Sequence, residues 1–239
     1  MKELEDYNWF PRLFRNFQTD FIGFIVARFH VYGVFIAYLK TLPLARLPMT
    51  DLCSGSGEPA VSIYRKSNCF SSLRLTDKFP NEITIKDNYV HHETKSTDVL
   101  KMEFQAGNCY TMFNSFHHFT KEEQLMIVER IGSSGATAFI VEVLEPSVFC
   151  FLKIAFATTV GCIVLTPFIQ PFSLKRLFFT YIVPINLFTI AFDGLVSVLK
   201  SSTVEQYQAL FAKHKSSMKI FRLQNGWTPL IVLEINGTP

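Results

Sequence analysis

The first fifth of the chain combines an apolar pattern with few charges. Residues 9–42 are mostly aromatic and aliphatic, which predicts helices interrupted near Gly23 or Gly33. This pattern stops at Pro48, because proline lacks a backbone donor and disfavours a helical conformation at the preceding residue. We therefore expect an N-terminal helical lid over residues 1–48.

Short apolar runs then alternate with amphipathic stretches. Residues 136–143 are almost wholly apolar and rich in β-branched side chains, as is typical of a strand buried on both faces. Strands that alternate with helices at this spacing predict a parallel sheet, and therefore an α/β fold. The predicted strands are 49–53, 72–76, 107–113 and 136–143, with a turn and strand region at 89–97, and the predicted helices are 59–65 and 121–131.

The pattern changes again in residues 148–200. Residues 148–169 carry one charge, Lys153, and residues 177–192 carry none but contain Pro184. The first of these runs is long enough to cross the apolar core of a bilayer, which needs about 20 residues. We predict a hydrophobic helical insertion here.

The last part of the chain returns to a mixed pattern, with a predicted helix at 204–214 and strands at 219–223 and 230–235 around an Asn-Gly turn. This hairpin must complete the sheet that begins at residue 49, so both flanks of the insertion lie on one side of any membrane. We favour a helical hairpin that dips into or lies on the cytoplasmic leaflet. The alternative is a buried cap over a substrate pocket in a soluble, cytoplasmic enzyme. The predicted units are 1–48, the core 49–147, the insertion 148–200, and the last helix and hairpin 201–239.

Composition narrows the classes of protein. With 23 basic and 20 acidic residues the net charge is +3, which does not fit a nucleic-acid-binding protein, and an apolar share of 49% excludes a disordered chain. The five cysteines include no C-x-x-C spacing, so we expect a reduced, cytosolic setting without a disulfide framework or zinc finger. The first six residues carry charges of both signs, which does not fit a signal peptide. The 25 phenylalanines and the mean hydropathy of +0.21 favour contact with lipid or a lipid-like ligand.

A glycine-rich turn follows the first predicted strand, in residues 51–60. Such a turn, opening into a helix, presents backbone N–H groups to a cofactor at the carboxyl edge of a sheet. Gly55, Gly57 and Ala60, with Asp77 further on, also satisfy the dinucleotide-binding fingerprint. An NAD(P)-dependent oxidoreductase therefore remains an alternative.

Three carboxylates, of Asp51, Asp77 and Asp98, follow or end successive predicted strands. A carboxylate pointing into a phosphate cradle repels a pyrophosphate, whereas it attracts a cationic ligand. The pattern therefore favours a cationic nucleoside over a dinucleotide.

These motifs resemble those of class I S-adenosylmethionine-dependent methyltransferases. Residues 51–57, 75–77, 97–99 and 111–119 stand in the family's order and spacing, and the likeness covers residues 49–147. The terminal hairpin resembles the family's antiparallel sixth and seventh strands. Residues 5–11 and 192–197 are similar to a bacterial subgroup with a hydrophobic insertion. The resemblance implies a Rossmann-like sheet with N-terminal helices and with the insertion before the C-terminal β-hairpin.

The resemblance implies S-adenosylmethionine as cofactor and a set of residues that bind it. Cys53 stands where the family has the first glycine of its turn, a replacement that is tolerable if the backbone φ there is negative. The implied contacts are Asp51, Gly55 and Gly57 with the methionine end, Asp77 with the ribose, Asp98 and Val99 with the adenine, and Asn114 and Ser115 beside the methyl group. The implied cofactor-binding residues also include Cys53, Ser56 and Lys78.

His117 and His118 come directly after a predicted strand end, where a base would reach a substrate proton. Consecutive residues point in different directions, so one of the two should face the cofactor, and we favour His117 because it comes first. His91 and His92 are expected in a loop, and no metal site is predicted.

The sequence thus predicts methyl transfer from S-adenosylmethionine to a hydrophobic small-molecule or lipid-like acceptor, and a histidine base favours O-methylation. The protein is expected at the cytoplasmic face of a membrane, with no nucleic-acid partner. Besides the oxidoreductase, the alternative is a membrane-anchored, non-catalytic interaction module with a Rossmann-like fold.

Overall fold

A seven-stranded sheet organises the computed structural model, which describes residues 1–44, 46–81, 85, 87–214, 218–226 and 228–237. Five strands are parallel, β7 runs antiparallel to β5, and β6 runs antiparallel to β7, in the order β3-β2-β1-β4-β5-β7-β6. The predicted α/β sheet with a C-terminal antiparallel hairpin is therefore confirmed. The strands are β1 (Met49–Leu52), β2 (Leu73–Thr76), β3 (Val90–His92), β4 (Cys109–Phe113), β5 (Thr137–Glu142), β6 (Met218–Leu223) and β7 (Leu230–Asn236).

Helices cover both faces of this sheet. On one face α2 (Gly33–Leu39) and α3 (Ala60–Ser67) pack on the strands, and on the other α4 (Lys121–Ser133) and α9 (Val204–Leu210) do so. Every residue of the central strand β4 is buried, which accounts for its continuous apolar pattern. Helix α9 is shorter than the predicted helix, because residues 212–214 form a 3-10 turn.

The N-terminal helices break before Gly33 and not at Gly23. Helix α1 (Arg12–Arg28) continues through Gly23, where the absence of a side chain lets it approach the turn after β1. A Cβ atom at Gly23 would lie 2.3 Å from Oγ of Ser56. Helix α1 therefore lies directly on the glycine-rich turn.

The insertion forms three helical stretches. The first runs from Val148 to Phe168 and comprises α5 (Val148–Phe156), a π-helical turn, α6 (Cys162–Leu165) and a final 3-10 turn. Next come α7 (Leu174–Tyr181) and α8 (Ile185–Lys200), which meet at a 78° bend. The uncharged run at residues 177–192 is therefore divided between α7 and α8, and Pro184 is the N-cap of α8.

The surface of the insertion is strongly apolar. The 21-residue helix that starts at Val148 is long and apolar enough to cross a membrane, and only 17% of its most apolar 18-residue segment is buried. The helix pairs α1–α2 and α7–α8 are each sharply bent, and if each pair counts as one span, the described residues contain up to three such spans. Helix α8 packs on α5, and the buried Arg176 of α7 bonds to Asp20 of α1. The far end of the insertion is therefore held against the N-terminal helix.

Candidate active site

The turn after β1 is held by hydrogen bonds to the neighbouring strand. Oγ of Ser54 accepts from the backbone N–H of Thr76 at 3.1 Å, and the N–H of Ser54 donates to the carbonyl of Thr76 at 2.9 Å. The φ angles of Gly55 and Gly57 are +53° and +88°, a region that glycine enters without strain. Cys53 has a φ of +60°, so the condition under which a side chain is tolerable there, a negative φ, is not met.

This finding predicts an effect of the substitution Cys53→Gly on stability. A side chain in the left-handed region costs about 1–2 kcal/mol, and the added freedom of glycine in the unfolded chain offsets about 0.5–1 kcal/mol of that gain. We expect the free energy of unfolding in urea to rise by about 0.5–1 kcal/mol. Cys69→Gly is the control and should lower it. A lower value for Cys53→Gly would mean that packing of the thiol outweighs the backbone strain.

The carboxylate of Asp77 supports the turn from the end of β2. Its two oxygens accept from the backbone N–H groups of Gly55, at 2.8 Å, and Phe79, at 2.7 Å. Asp98 lies one strand further along the edge and accepts from Leu100 at 3.1 Å, and Nζ of Lys78 is 3.8 Å from its other oxygen. Both acids lie at the carboxyl edge of the sheet, as the resemblance implies.

A cavity of about 290 Å³ opens at this edge, between the strand ends and α1. It brings together most of the predicted site. The predicted residues that line it are Cys53, Gly55, Ser56, Asp77, Lys78, Asp98, Val99, Asn114, Ser115 and His118.

Three predicted residues, Asp51, Gly57 and His117, are not among those that line the cavity. Asp51 is buried beneath the turn, where Oγ1 of Thr111 donates to its carboxylate at 2.7 Å. Burial raises the pKa of Asp51 to about 7. Its direct contact with the methionine end therefore remains a prediction.

The two histidines occupy a 3-10 turn after β4 and differ in their surroundings. Nδ1 of the buried His117 is 2.6 Å from Oε2 of Glu142, and Nδ1 of His118 is 2.9 Å from Oδ1 of Asp6. Since His118 is the one that lines the cavity, the preference for His117 as the inward residue is wrong.

Carboxylates surround His118 from the N-terminal segment. Nε2 of His118 is 3.4 Å from Glu3 and 3.7 Å from Glu5. Burial lowers the pKa of His118, but the charges of Glu3, Glu5 and Asp6 outweigh this and raise the pKa to about 10. In this arrangement the imidazole is charged at neutral pH and is not available as a general base.

The N-terminal acids Glu3, Glu5 and Asp6 were missed by the sequence reasoning. Asp193 of α8 holds this segment, because its carboxylate accepts from the N–H groups of Leu4 and Glu5 at 2.6 and 3.2 Å. Three carboxylates within the first six residues form an acidic cluster that the sequence itself shows. Nothing in the local sequence indicates that they meet residues 117 and 118.

A second cavity, of about 220 Å³, lies between α1, α5 and α8. Its wall is mostly apolar, with Glu3, Glu5 and Asp193 at one end. Both cavities are lined by Glu5, Ile22, Val26, Asn114 and Val143. The insertion thus forms an apolar chamber directly beside the cavity at the sheet edge.

No family model matches the sequence, and no curated protein matches it. Among solved structures, the chain is similar to human N-acetylserotonin methyltransferase in complex with SAM, with a TM-score of 0.50 and 15% identity over 90% of this chain. It is also similar to the plantazolicin methyltransferase BpumL in complex with a monoazolic desmethylPZN analog and SAH, with a TM-score of 0.50 and 13% identity over 89% of this chain. The third similar structure is that of the methyltransferase SibL, with a TM-score of 0.48 and 11% identity over 87% of this chain. This chain spans 87% of the length of BpumL, but only 55% of the human enzyme and 56% of SibL.

The two antiparallel strands come last in the chain, with β7 beside β5, and a glycine-rich turn follows the first strand. The cavity lies at the carboxyl ends of the parallel strands, where open α/β sheets bind their ligands. Together with the structural likenesses, these features identify the fold of this chain as that of the class I S-adenosylmethionine-dependent methyltransferases.

Proposed function

We propose that the protein transfers a methyl group from S-adenosylmethionine to a hydrophobic small-molecule or lipid-like acceptor. The observation that carries this proposal is the junction of the two cavities at Asn114 and Val143. One cavity has the polar strand ends that suit a nucleoside, and the other has an apolar wall. A methyl donor and an apolar acceptor placed in them would meet at this junction.

The charges around the first cavity favour S-adenosylmethionine over NAD(P). The sulfonium and ammonium groups are positive, whereas the dinucleotide brings a pyrophosphate with two negative charges. Carboxylates outnumber cations in the lining, which favours the cationic ligand. The charged acids are Asp6, Glu58, Asp77, Asp98 and Glu123, and the cations are Lys2, Arg15, Lys78 and His118; burial raises the pKa of Glu5 to about 8, so this acid is mostly neutral at neutral pH.

Titration calorimetry with S-adenosylmethionine and with NAD⁺ tests the cofactor. We expect heat from S-adenosylmethionine and none from NAD⁺. Binding of NAD⁺ alone would favour the oxidoreductase. Binding of neither would favour the membrane-anchored, non-catalytic module.

If the second cavity holds the acceptor, a substitution there should lower methyl transfer without changing the affinity for S-adenosylmethionine. Ala157 lines the second cavity but not the first, so Ala157→Phe should fill the acceptor space and leave the affinity for S-adenosylmethionine unchanged. With methyl-labelled cofactor and a cellular lipid extract, we expect at least about tenfold less label in the organic phase, because about 1.4 kcal/mol of lost acceptor binding has that effect.

Ala155→Phe is the matched control, since Ala155 lies on the same helix and is not in the cavity lining. It should transfer label at the wild-type rate. Equal transfer by wild type and Ala157→Phe would remove the second cavity from the acceptor site.

Catalysis by alignment suits this site better than general-base catalysis. The sulfonium is already activated, so holding the nucleophile in line with the methyl group supplies most of the rate. His118 lines the cavity in a charged form, and the ring of His117 is buried beside Glu142. We therefore do not propose O-methylation with a histidine base, and the proposed methyl transfer specifies no particular acceptor atom.

We also propose that the insertion attaches the protein to a membrane surface. Most of the exposed large apolar side chains in the described residues belong to residues 148–199. Soluble monomers rarely expose continuous apolar patches of more than a few hundred Å². The bond between Arg176 and Asp20 keeps the far end of the insertion beside α1, which favours helices that lie on the surface over helices that cross it.

A further inference from the structure

The two imidazoles of the turn after β4 are oriented in the same way. Each one pairs its Nδ1 atom with a carboxylate, His117 with Glu142 at 2.6 Å and His118 with Asp6 at 2.9 Å. When Nδ1–H donates to a carboxylate, Nε2 is the ring nitrogen that can bind a metal ion, and at the charged His118 the ion would displace the Nε2 proton. This arrangement of carboxylate, histidine and free Nε2 recurs at metal centres in proteins.

Both Nε2 atoms approach the same carboxylate. That of His117 is 4.0 Å from Oε1 of Glu3, and that of His118 is 3.4 Å from Oε2 of Glu3. His117 is 2% exposed, and its Nε2 atom has no hydrogen-bond partner among the described residues. A buried polar atom without a partner destabilises the fold, so the orientation of this Nε2 atom toward Glu3 calls for a ligand between them.

We propose that Glu3, His117 and His118 bind a divalent transition-metal ion. One ligand atom from each residue can be chosen so that all three lie within 4.8 Å of one another. Ligands held about 2.0–2.2 Å from a common ion lie roughly 3–4 Å apart, so small side-chain movements complete the site. Two imidazole nitrogens and one carboxylate form a donor set that suits zinc and its neighbours better than magnesium or calcium.

The charge of the surroundings supports a cation here. Four carboxylates, of Glu3, Glu5, Asp6 and Glu142, lie within 4.0 Å of the two imidazole rings. Lys200 offsets part of this charge through its ion pairs with Glu3 and Asp6, at 2.9 and 3.5 Å. A divalent ion would offset the remainder. Lys200 and Ser197, which donates to Oε2 of Glu3 at 2.9 Å, would then orient the carboxylate as outer partners.

The position of the site gives the ion a role. His118 lines the first cavity and Glu3 lines the second, so an ion held between these residues would lie where the two cavities adjoin. An ion there would attract acceptors that carry an oxygen donor, such as a hydroxyl or carboxylate group, and stabilise negative charge on that oxygen. This role, unlike metal binding itself, rests on the proposed methyl transfer.

Metal binding can be measured on the full chain after treatment with a chelator. In calorimetry with Zn²⁺ we expect one ion per chain, and with Co²⁺ we expect the visible absorption bands of a nitrogen- and oxygen-ligated site. His118→Ala and Glu3→Gln should each weaken Zn²⁺ binding at least tenfold, and Glu142→Gln should weaken it about 10–100-fold through the orientation of His117. The double variant His91→Ala, His92→Ala removes a surface histidine pair and should bind Zn²⁺ like wild type.

Circular dichroism of each variant separates loss of the site from loss of the fold, and His118→Ala is the decisive variant because His118 is not fully buried. Full Zn²⁺ affinity in folded His118→Ala and Glu3→Gln would overturn the proposal, as would a wild type that binds no ion. If S-adenosylmethionine binds to protein that takes up no Zn²⁺, the metal site fails while the proposed function stands.

Discussion

Replacing Leu152, Phe156, Phe168 and Phe188 with serine is expected to release the protein from lipid vesicles. These side chains are between 61% and 70% exposed, so the substitutions leave the core intact. Each large apolar side chain transferred from water to an apolar phase contributes about 1.5–3 kcal/mol. Loss of four of them should lower the partition into phosphatidylcholine–phosphatidylglycerol vesicles at least about 100-fold in sedimentation.

Exposed apolar residues outside the insertion provide the matched control. Phe29, Tyr89 and Met126 are also exposed, and their replacement with serine should leave vesicle binding unchanged. If the wild-type protein stays in the supernatant, membrane attachment is excluded. The insertion would then serve as the wall of the second cavity alone.

Asp77→Ala is expected to weaken binding of S-adenosylmethionine about 5–150-fold, which corresponds to about 1–3 kcal/mol. The family resemblance implies that Asp77 accepts charge-assisted hydrogen bonds from the two ribose hydroxyls, and the substitution would remove them. Asp77 also accepts from the N–H of Gly55, so the turn that would bind the methionine end loses support as well. Titration calorimetry measures the affinity, and thermal unfolding of the ligand-free protein reports on the turn.

Asp87→Ala removes a carboxylate of the same type outside the cavity, where Asp87 pairs with Arg65 at 3.4 Å. It should keep the wild-type affinity. An unchanged affinity for Asp77→Ala, with the fold intact, would exclude Asp77 from the cofactor site.

The sheet was predictable because its signals are local. Mostly apolar runs such as residues 109–113 and 137–142 indicate strands buried on both faces, and the glycines at 55 and 57 indicate the turn that follows the first strand. The cavity-lining positions of Asp77, Asp98 and Asn114 follow from the topology, because parallel strands end at one edge.

The surroundings of the histidines were not predictable, because they depend on contacts between distant residues. Asp6 is 112 positions from His118, and its contact depends on how α8 places the N-terminal segment. The sign of φ at Cys53, which decides whether the backbone is strained there, was also not predictable from the sequence. The hydrogen bonds of Ser54 with Thr76 of β2 fix the turn, and the side chain of Cys53 tolerates the conformation that results.

The bonds of Glu3 to Ser197 and Lys200 join residues 194 and 197 positions apart. On the ribosome, residue 200 follows residue 3 by about 10–40 s at 5–20 residues per second. Until α8 is made, the first residues have nothing there to dock on, whereas β1 to β5 all precede α8 in the chain and can form the parallel part of the sheet before it. The cluster around His118 is therefore among the last parts of the protein to be assembled during synthesis, and premature termination anywhere before α8 leaves the cavity at the sheet edge without its N-terminal cover.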